Sequence, residues 1–300
     1  MTAPLLLAMP GSEALTQLLL DKIGAEQGEM QNRRFPDEET YLRIATDVSG
    51  RDVVMVCSLD RPDAKFLPLV YAVNLARDLG ARSVGLVAPY LSYMRQDRRF
   101  QPGEAVTSGY FAKILSREID WLVTVDPHLH RRTSLAEIYD IPTAVLHAAP
   151  LLSAWIGKEI ERPLLVGPDG ESEQWVAEVA RDAGAPHVVL TKIRHGDRDV
   201  EISVPDVTRW HDRTPVLVDD IISTGRTMIE TVGHLRKAGM QPSMCIAVHG
   251  IFAGSAYDDL IAAGAADIVT TNTVPHASNR IDVSQLLAGS IGEILERPVA

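Results

Sequence analysis

The sequence predicts an α/β protein made of two tandem units, each a mostly parallel sheet flanked by helices. Three observations predict it: short apolar runs recur, amphipathic segments ending in glycine lie between most of them, and a small-residue turn around glycine returns before three of the runs. In order, Leu5 to Met9, Val53 to Cys57, Val84 to Ala88, Trp121 to Val125, Leu164 to Val166, Val188 to Leu190, Val216 to Val218, Cys245 to Val248 and Ile268 to Thr271 read as strands. Their near-continuous aliphatic content is that of strands covered on both faces. Asp63 to Gly80, Glu171 to Gly184 and Met228 to Gly239 read as helices closing on a glycine stop. Strand and helix alternating in this way give parallel, helix-covered sheets. Asp78-Leu79-Gly80-Ala81, Asp182-Ala183-Gly184-Ala185 and Ala262-Ala263-Gly264-Ala265 mark repeated αβ units rather than a solenoid, whose period would be shorter and stricter. The boundary is placed near His147 to Pro150, giving domains 1–148 and 149–300, with the last helix a candidate to pack back on the first.

Three hundred residues with 46% hydrophobic content suffice for two domains at about 150 residues each. A formal charge of −11 and a pI near 5.3 oppose a nucleic-acid or membrane-surface role, so phosphate recognition has to come from local basic clusters. Cys57 and Cys245 each sit in an apolar run, as small buried hydrophobes in a reducing compartment do. No apolar run approaches the ~20 residues of a membrane span, and MTAPLLLAMP lacks the basic start and long apolar core of a signal peptide. A cytoplasmic protein is expected.

The most informative stretch is Pro215 to Met228, PVLVDDIISTGRTM. A buried strand, Val216 to Val218, is expected to end in two carboxylates, Asp219 and Asp220. At the carboxyl end of an open α/β sheet such acids are placed to accept hydrogen bonds from vicinal sugar hydroxyls or to hold a cation. Ser223, Thr224, Gly225, Arg226 and Thr227 then turn straight into a helix. Free N–H groups and hydroxyls at a helix N-terminus form a cup for a phosphate, and Gly225 allows close backbone approach. Acids for ribose hydroxyls beside a cup for a 5′-phosphate describe a ribose 5-phosphate binder. The stretch resembles the phosphoribosyl pyrophosphate (PRPP) motif shared by phosphoribosyltransferases, which consume PRPP, and ribose-phosphate pyrophosphokinases, which make it.

Four other constellations separate those two groups. Arg34-Phe35-Pro36-Asp37-Glu38-Glu39-Thr40 offers a flat apolar face beside acceptors for an exocyclic amine, which is what a nucleotide base requires. It resembles the pyrophosphokinases' F-x-D-G-E adenine loop, with Glu38 where glycine is usual, and implies ATP contacts from Phe35, Asp37, Glu38 and Glu39. Tyr93-Met94-Arg95-Gln96-Asp97-Arg98-Arg99 concentrates basic side chains at a strand's carboxyl end in an acidic protein, and Arg forks match phosphate oxygens. It resembles the family's Y-x-R-Q-D segment, which implies that Arg95, Gln96 and Asp97 bind ATP; phosphoribosyltransferases lack this block. Zinc at His128 and His130 would need further ligands, and no Cys or H-x-x-x-H spacing supplies them. Thr124-Val125-Asp126-Pro127-His128 instead resembles the family's D-L-H, which implies a magnesium and ATP role for His128 and leaves His130 a polar loop residue.

Val166-Gly167-Pro168-Asp169-Gly170-Glu171 resembles P-D-x-G-G, in which the acid, here Asp169, holds magnesium; Glu171 stands where the second glycine is usual. Lys192 and Arg194, two alternating cations at the end of a strand, resemble the family's catalytic pair, and the following Gly196 to Glu201 is closer to archaeal-type members than to the common bacterial class. Together with Val248-His249-Gly250-Ile251-Phe252 and Thr271 to Pro275, the resemblance spans nearly the whole chain. It implies a ribose-phosphate pyrophosphokinase of two phosphoribosyltransferase-like (type I) domains. The resemblance further implies ATP and ribose 5-phosphate as substrates, Mg2+ as cofactor and a dimer-based homo-oligomer. A phosphoribosyltransferase and a non-catalytic regulatory subunit are the alternatives.

Overall fold

A computed structural model of the chain describes residues 3–129, 131–167, 173–195, 199–203 and 207–296. The chain divides into two compact units, Met1–Leu146 with Val283–Ala300, and His147–Asp282. In chain order the first contains β1 (Leu5–Ala8), α1 (Glu13–Ile23), β2 (Glu26–Gln27), β3 (Met30–Arg34), β4 (Thr40–Ile44), β5 (Asp52–Val56), α2 (Pro62–Asp78), β6 (Ser83–Ala88), α3 (Thr107–Glu118), β7 (Trp121–Val125) and β8 (Thr143–Leu146). Six strands form one sheet in the order β2-β1-β5-β6-β7-β8, each neighbouring pair parallel. β3 and β4 stand apart as an antiparallel ribbon. The core sits where Leu5, Leu7, Met55, Leu86 and Leu122 of the sheet meet Leu69 and Val73 of α2 and Phe111 and Leu115 of α3.

Central β6 is buried along its whole length, and Gly85 is there because nothing larger fits. A Cβ at Gly85 would lie 1.9–2.3 Å from the indole of Trp121 on the neighbouring strand. Trp121 is itself only 6% exposed and cannot swing clear. Gly85→Ala is therefore expected to lower unfolding free energy by about 3 kcal/mol, read as a shift of the urea midpoint.

The second unit contains α4 (Ala149–Glu159), β9 (Pro163–Gly167), α5 (Glu173–Asp182), β10 (His187–Val189), β11 (Thr191–His195), β12 (Asp199–Ser203), β13 (Thr214–Ile222), α6 (Arg226–Lys237), β14 (Met244–Gly250), α7 (Ala256–Ala263), β15 (Asp267–Thr271) and β16 (Asn279–Ile281). Its sheet runs β10-β9-β13-β14-β15-β16, again all parallel. Strand for strand this is the order of the first unit, with an antiparallel ribbon, β11–β12, inserted at the corresponding point of the chain. The recurring glycine turn is the helix stop itself: Gly80, Gly184 and Gly264 have φ of +89°, +65° and +110°. The last helix, α8 (Ser284–Leu295), returns to the first unit and packs on α1, β7 and β8 through a face that buries Leu287, Ala288 and Ile291.

Two local expectations are corrected. The strand expected to stop at Val218 runs on to Ile222, because β14 continues to pair with it at Asp219↔Ala247, Ile221↔His249 and Ile222↔Gly250. Lys192 and Arg194 are not at the end of the strand through Val188. They lie on a separate strand, β11, opposite Ile202 and Val200 of β12. Both cysteines are buried and free, and burial pushes each thiol up to about 12, so they stay protonated and serve as packing groups. Among the described residues no helix is long and apolar enough to cross a membrane.

Candidate active site

The acids Asp219 and Asp220 lie in the last part of β13, half-buried. There the Asp220 N–H donates to Asp219 Oδ1 at 3.0 Å, while the register with β14 is the same on either side, at Asp219↔Ala247 and Ile221↔His249. Five residues on, the chain enters α6 with Gly225 as the residue before the helix, at φ +66° and ψ 0°. The first-turn N–H groups of α6 face out of the helix's N-terminal end, and among the described residues no side-chain cap is found there. Ser223 and Thr227 are half-buried and Thr224 and Arg226 exposed, so the loop presents amides and hydroxyls together at the helix's positive end. An anion with several oxygens matches that set of donors.

In the first unit, the segment after β6 passes through Tyr93, whose φ is +62°. Its hydroxyl donates to Asp63 at the start of α2, and that bond, with partial burial, pushes the phenol up to about 12. Arg95 is exposed. Gln96 accepts from Thr107 Oγ1 at 3.0 Å, and Asp97, its side chain 5% exposed, takes Arg131 Nη1 at 3.1 Å while its carbonyl accepts from Arg132. The ends of β6 and β7 are adjacent, and Arg131 stitches the Arg95–Asp97 loop to the segment that follows His128. Sequence reasoning missed Arg131 and Arg132, although two consecutive cations after a histidine in a chain of net charge −11 were a usable signal.

The turn at His128 is strained. Asp126 and His128 have φ of +36° and +49°, and the His128 N–H reaches back to Asp126 O at 2.9 Å across Pro127. Such conformations cost on the order of 1–3 kcal/mol each and cluster at functional sites. Among the described residues no group of three His, Cys, Asp or Glu side chains is placed to enclose a metal. In the second unit the carboxylates late in β13 are oxygen donors of the kind a hard cation takes when it is shared with ligand phosphate oxygens. Asp169 lies outside the described residues; Lys192 and Arg194 are described as backbone on β11.

Phe35 to Glu39 form the tip of the β3–β4 ribbon, closed by Phe35 N to Glu39 O at 2.8 Å and Glu38 N to Phe35 O at 2.9 Å. The Phe35 ring is 41% exposed, edge-on to Tyr41, with the Arg33 guanidinium 4.9 Å from its centroid. Glu38, which replaces the resembled loop's glycine, holds φ +70°, so the left-handed turn is kept without the residue that adopts it most easily. Its 3.8 Å pairing with Arg34 is exposed and contributes little. Glu38→Gly is expected to stabilise the protein by about 1 kcal/mol, measured by chemical denaturation.

A family model described as the N-terminal domain of ribose phosphate pyrophosphokinase matches residues 5–118, and a phosphoribosyl transferase domain model matches residues 134–283. The ribose-phosphate pyrophosphokinase of Methanopyrus kandleri is 33% identical over 290 residues, 96% of this chain and 98% of that one. The protein of the same name from Methanosarcina mazei is 33% identical over 285 residues, covering 94% and 93%. The crystal structure of phosphoribosylpyrophosphate synthetase from Mycobacterium smegmatis superposes with a TM-score of 0.85 at 24% identity over 99% of each chain, a likeness of fold. With two matching domain models in tandem and archaeal relatives aligned from end to end, the chain belongs to the ribose-phosphate pyrophosphokinase family.

Proposed function

We propose that the chain is a ribose-phosphate diphosphokinase: it transfers the β,γ-diphosphoryl group of ATP to the C1 hydroxyl of ribose 5-phosphate, giving PRPP and AMP. The observation that carries this reading is the β13–α6 loop, with acids at the strand's end and uncapped helix amides beyond Gly225, in a chain that aligns end to end with pyrophosphokinases. The C1 oxygen attacks the β-phosphorus, the bond from that phosphorus to the α-phosphate's bridging oxygen breaks, and the hydroxyl proton is released. Little covalent work falls to the protein, so alignment and charge neutralisation make up its share.

Each residue set then has a task. Asp219 and Asp220 accept from the ribose 2- and 3-hydroxyls, while Ser223, Thr224, Gly225, Arg226 and Thr227 hold the 5-phosphate. Phe35, Asp37, Glu38 and Glu39 receive the adenine, and Arg95, Gln96 and Asp97 the triphosphate. Lys192 and Arg194 meet the charge that grows on the transferring group and on departing AMP. Mg2+, held by His128, Asp169 and the phosphates, would supply charge neutralisation across the diphosphoryl group. The first unit thus handles ATP and the second, His147–Asp282, the sugar phosphate. The buried, protonated thiols suit a reducing compartment, and we place the reaction in the cytoplasm. By likeness to the family we also assign a dimer-based homo-oligomer, which light scattering measures.

One assay tests the core of the reading. Protein, Mg2+, ATP and ribose 5-phosphate are mixed and AMP is quantified; AMP and PRPP in equal amounts are expected. Bound ATP with no AMP formed would make the chain a non-catalytic subunit. PRPP consumed with a nucleobase would make it a phosphoribosyltransferase.

A further inference from the structure

The loop that cups the sugar phosphate is backed, residue by residue, by the end of β14 and the segment beyond it. Ladder pairing reaches Ile222↔Gly250. Beyond it the N–H groups of Ile251 and Phe252 both donate to Ile222 O, at 3.0 and 3.1 Å, and Ala253 N–H donates to Ser223 O at 3.0 Å. The last bond fixes the peptide plane between Ser223 and Thr224, and so the direction in which the Thr224 N–H points. A Cβ at Gly225 would lie 3.7 Å from Ala256 O, so the same wall continues along the loop.

This wall is itself in an unfavourable conformation and has to be held. Phe252 has φ +36°, a value that L-residues rarely adopt. A Cβ at Gly250 would fall 2.7 Å from the Phe252 ring and 2.9 Å from the Thr270 methyl, so the backbone there has no slack. Phe252 is clamped by Tyr257 and His276, with ring centroids at 5.3 and 4.4 Å. The remaining anchor is polar. His249, Thr271 and Thr273 are all fully buried. His249 Nδ1 lies 2.8 Å from Thr273 Oγ1, Thr271 and Thr273 hydroxyls both reach Val248 O, at 2.7 and 3.1 Å, and Thr271 Oγ1 lies 3.0 Å from Thr273 Oγ1. A satisfied network of this kind fixes its members more sharply than apolar packing does.

We infer that His249, anchored to Thr273, is a positioning residue for the ribose-phosphate loop: it holds the 250–253 wall and through it aims the amides that receive the 5-phosphate. The inference rests on the proposed function, because it presumes that the Ser223–Thr227 loop binds ribose 5-phosphate. His249 touches no substrate in this account. Its effect passes through Gly250, Ala253 and Ser223 to the loop.

The test is calorimetric binding of ribose 5-phosphate, together with KM for each substrate, to the wild type, His249→Leu, His249→Asn and Thr273→Val. Asparagine places a hydrogen-bonding atom near the position of Nδ1, and valine removes one hydroxyl at constant shape, so these two report even if the leucine variant does not fold. His249→Leu and Thr273→Val are expected to weaken ribose 5-phosphate binding about tenfold while KM for ATP stays within about twofold. His249→Asn is expected to recover most of the loss. Variants that melt earlier yet bind ribose 5-phosphate like the wild type would overturn the assignment, as would an asparagine variant that binds no better than leucine. If the wild type itself fails to bind ribose 5-phosphate, the proposed function falls first and this role with it.

Discussion

Lys192→Ala is expected to reduce turnover at least about a hundredfold while the melting transition and the binding of both substrates stay close to wild type. Lys192 lies on β11, one strand of a two-stranded ribbon rather than of the six-stranded sheet. Its proposed partner is charge that exists only as the diphosphoryl group moves, and an interaction confined to the transition state appears in kcat. Loss of one such donor costs on the order of 3 kcal/mol, about a factor of a hundred. Single-turnover formation of AMP, compared with equilibrium binding of ATP and ribose 5-phosphate, reads the two effects separately. A variant within about threefold of wild type would remove Lys192 from the reaction.

Gly225→Ala is expected to act on the opposite side of the ledger, raising KM for ribose 5-phosphate by roughly five- to thirtyfold with a smaller change in KM for ATP. The position holds φ +66°, where a Cβ costs about 1–2 kcal/mol. Space is not the obstacle, since the nearest atoms to an added Cβ, Ala256 O and Ile229 Cδ1, are at 3.7 and 3.8 Å, ordinary contact distances. The penalty is therefore one of backbone conformation, and the loop can escape it by rotating out of the left-handed region. That rotation swings the uncapped amides of α6 away from the phosphate. If instead the variant binds ribose 5-phosphate unchanged, the cup is not formed by this turn.

Much of this was legible in the chain because aliphatic runs such as those of β5 and β6 have no alternative to burial between helices. The helix stops were legible too, since Gly80, Gly184 and Gly264 sit where only glycine turns easily. The ribbons were not. Met30 to Arg34 is largely exposed, and in its partner strand Thr40 to Ile44 only Leu42 and Ile44 reach the core, so each strand is too short and too polar to announce itself by apolar alternation. The extension of β13 escaped notice for a related reason: aspartate is a poor strand former, yet pairing with β14 carries the ladder past both acids to Gly250. In the candidate site, motif residues were readable one segment at a time, whereas the Arg131–Asp97 clamp and the His249–Thr273 anchor join positions 34 and 24 apart, which no local pattern announces.

The return of α8 to the first unit has a bearing on how the polypeptide reaches its native state. The leading part of the first unit is synthesised before the second unit, yet the helix that covers α1, β7 and β8 is synthesised after it. Until α8 has been made, the surface destined for Leu287 and Ile291 stays open to water and to chaperones, so the second unit can complete itself before the first.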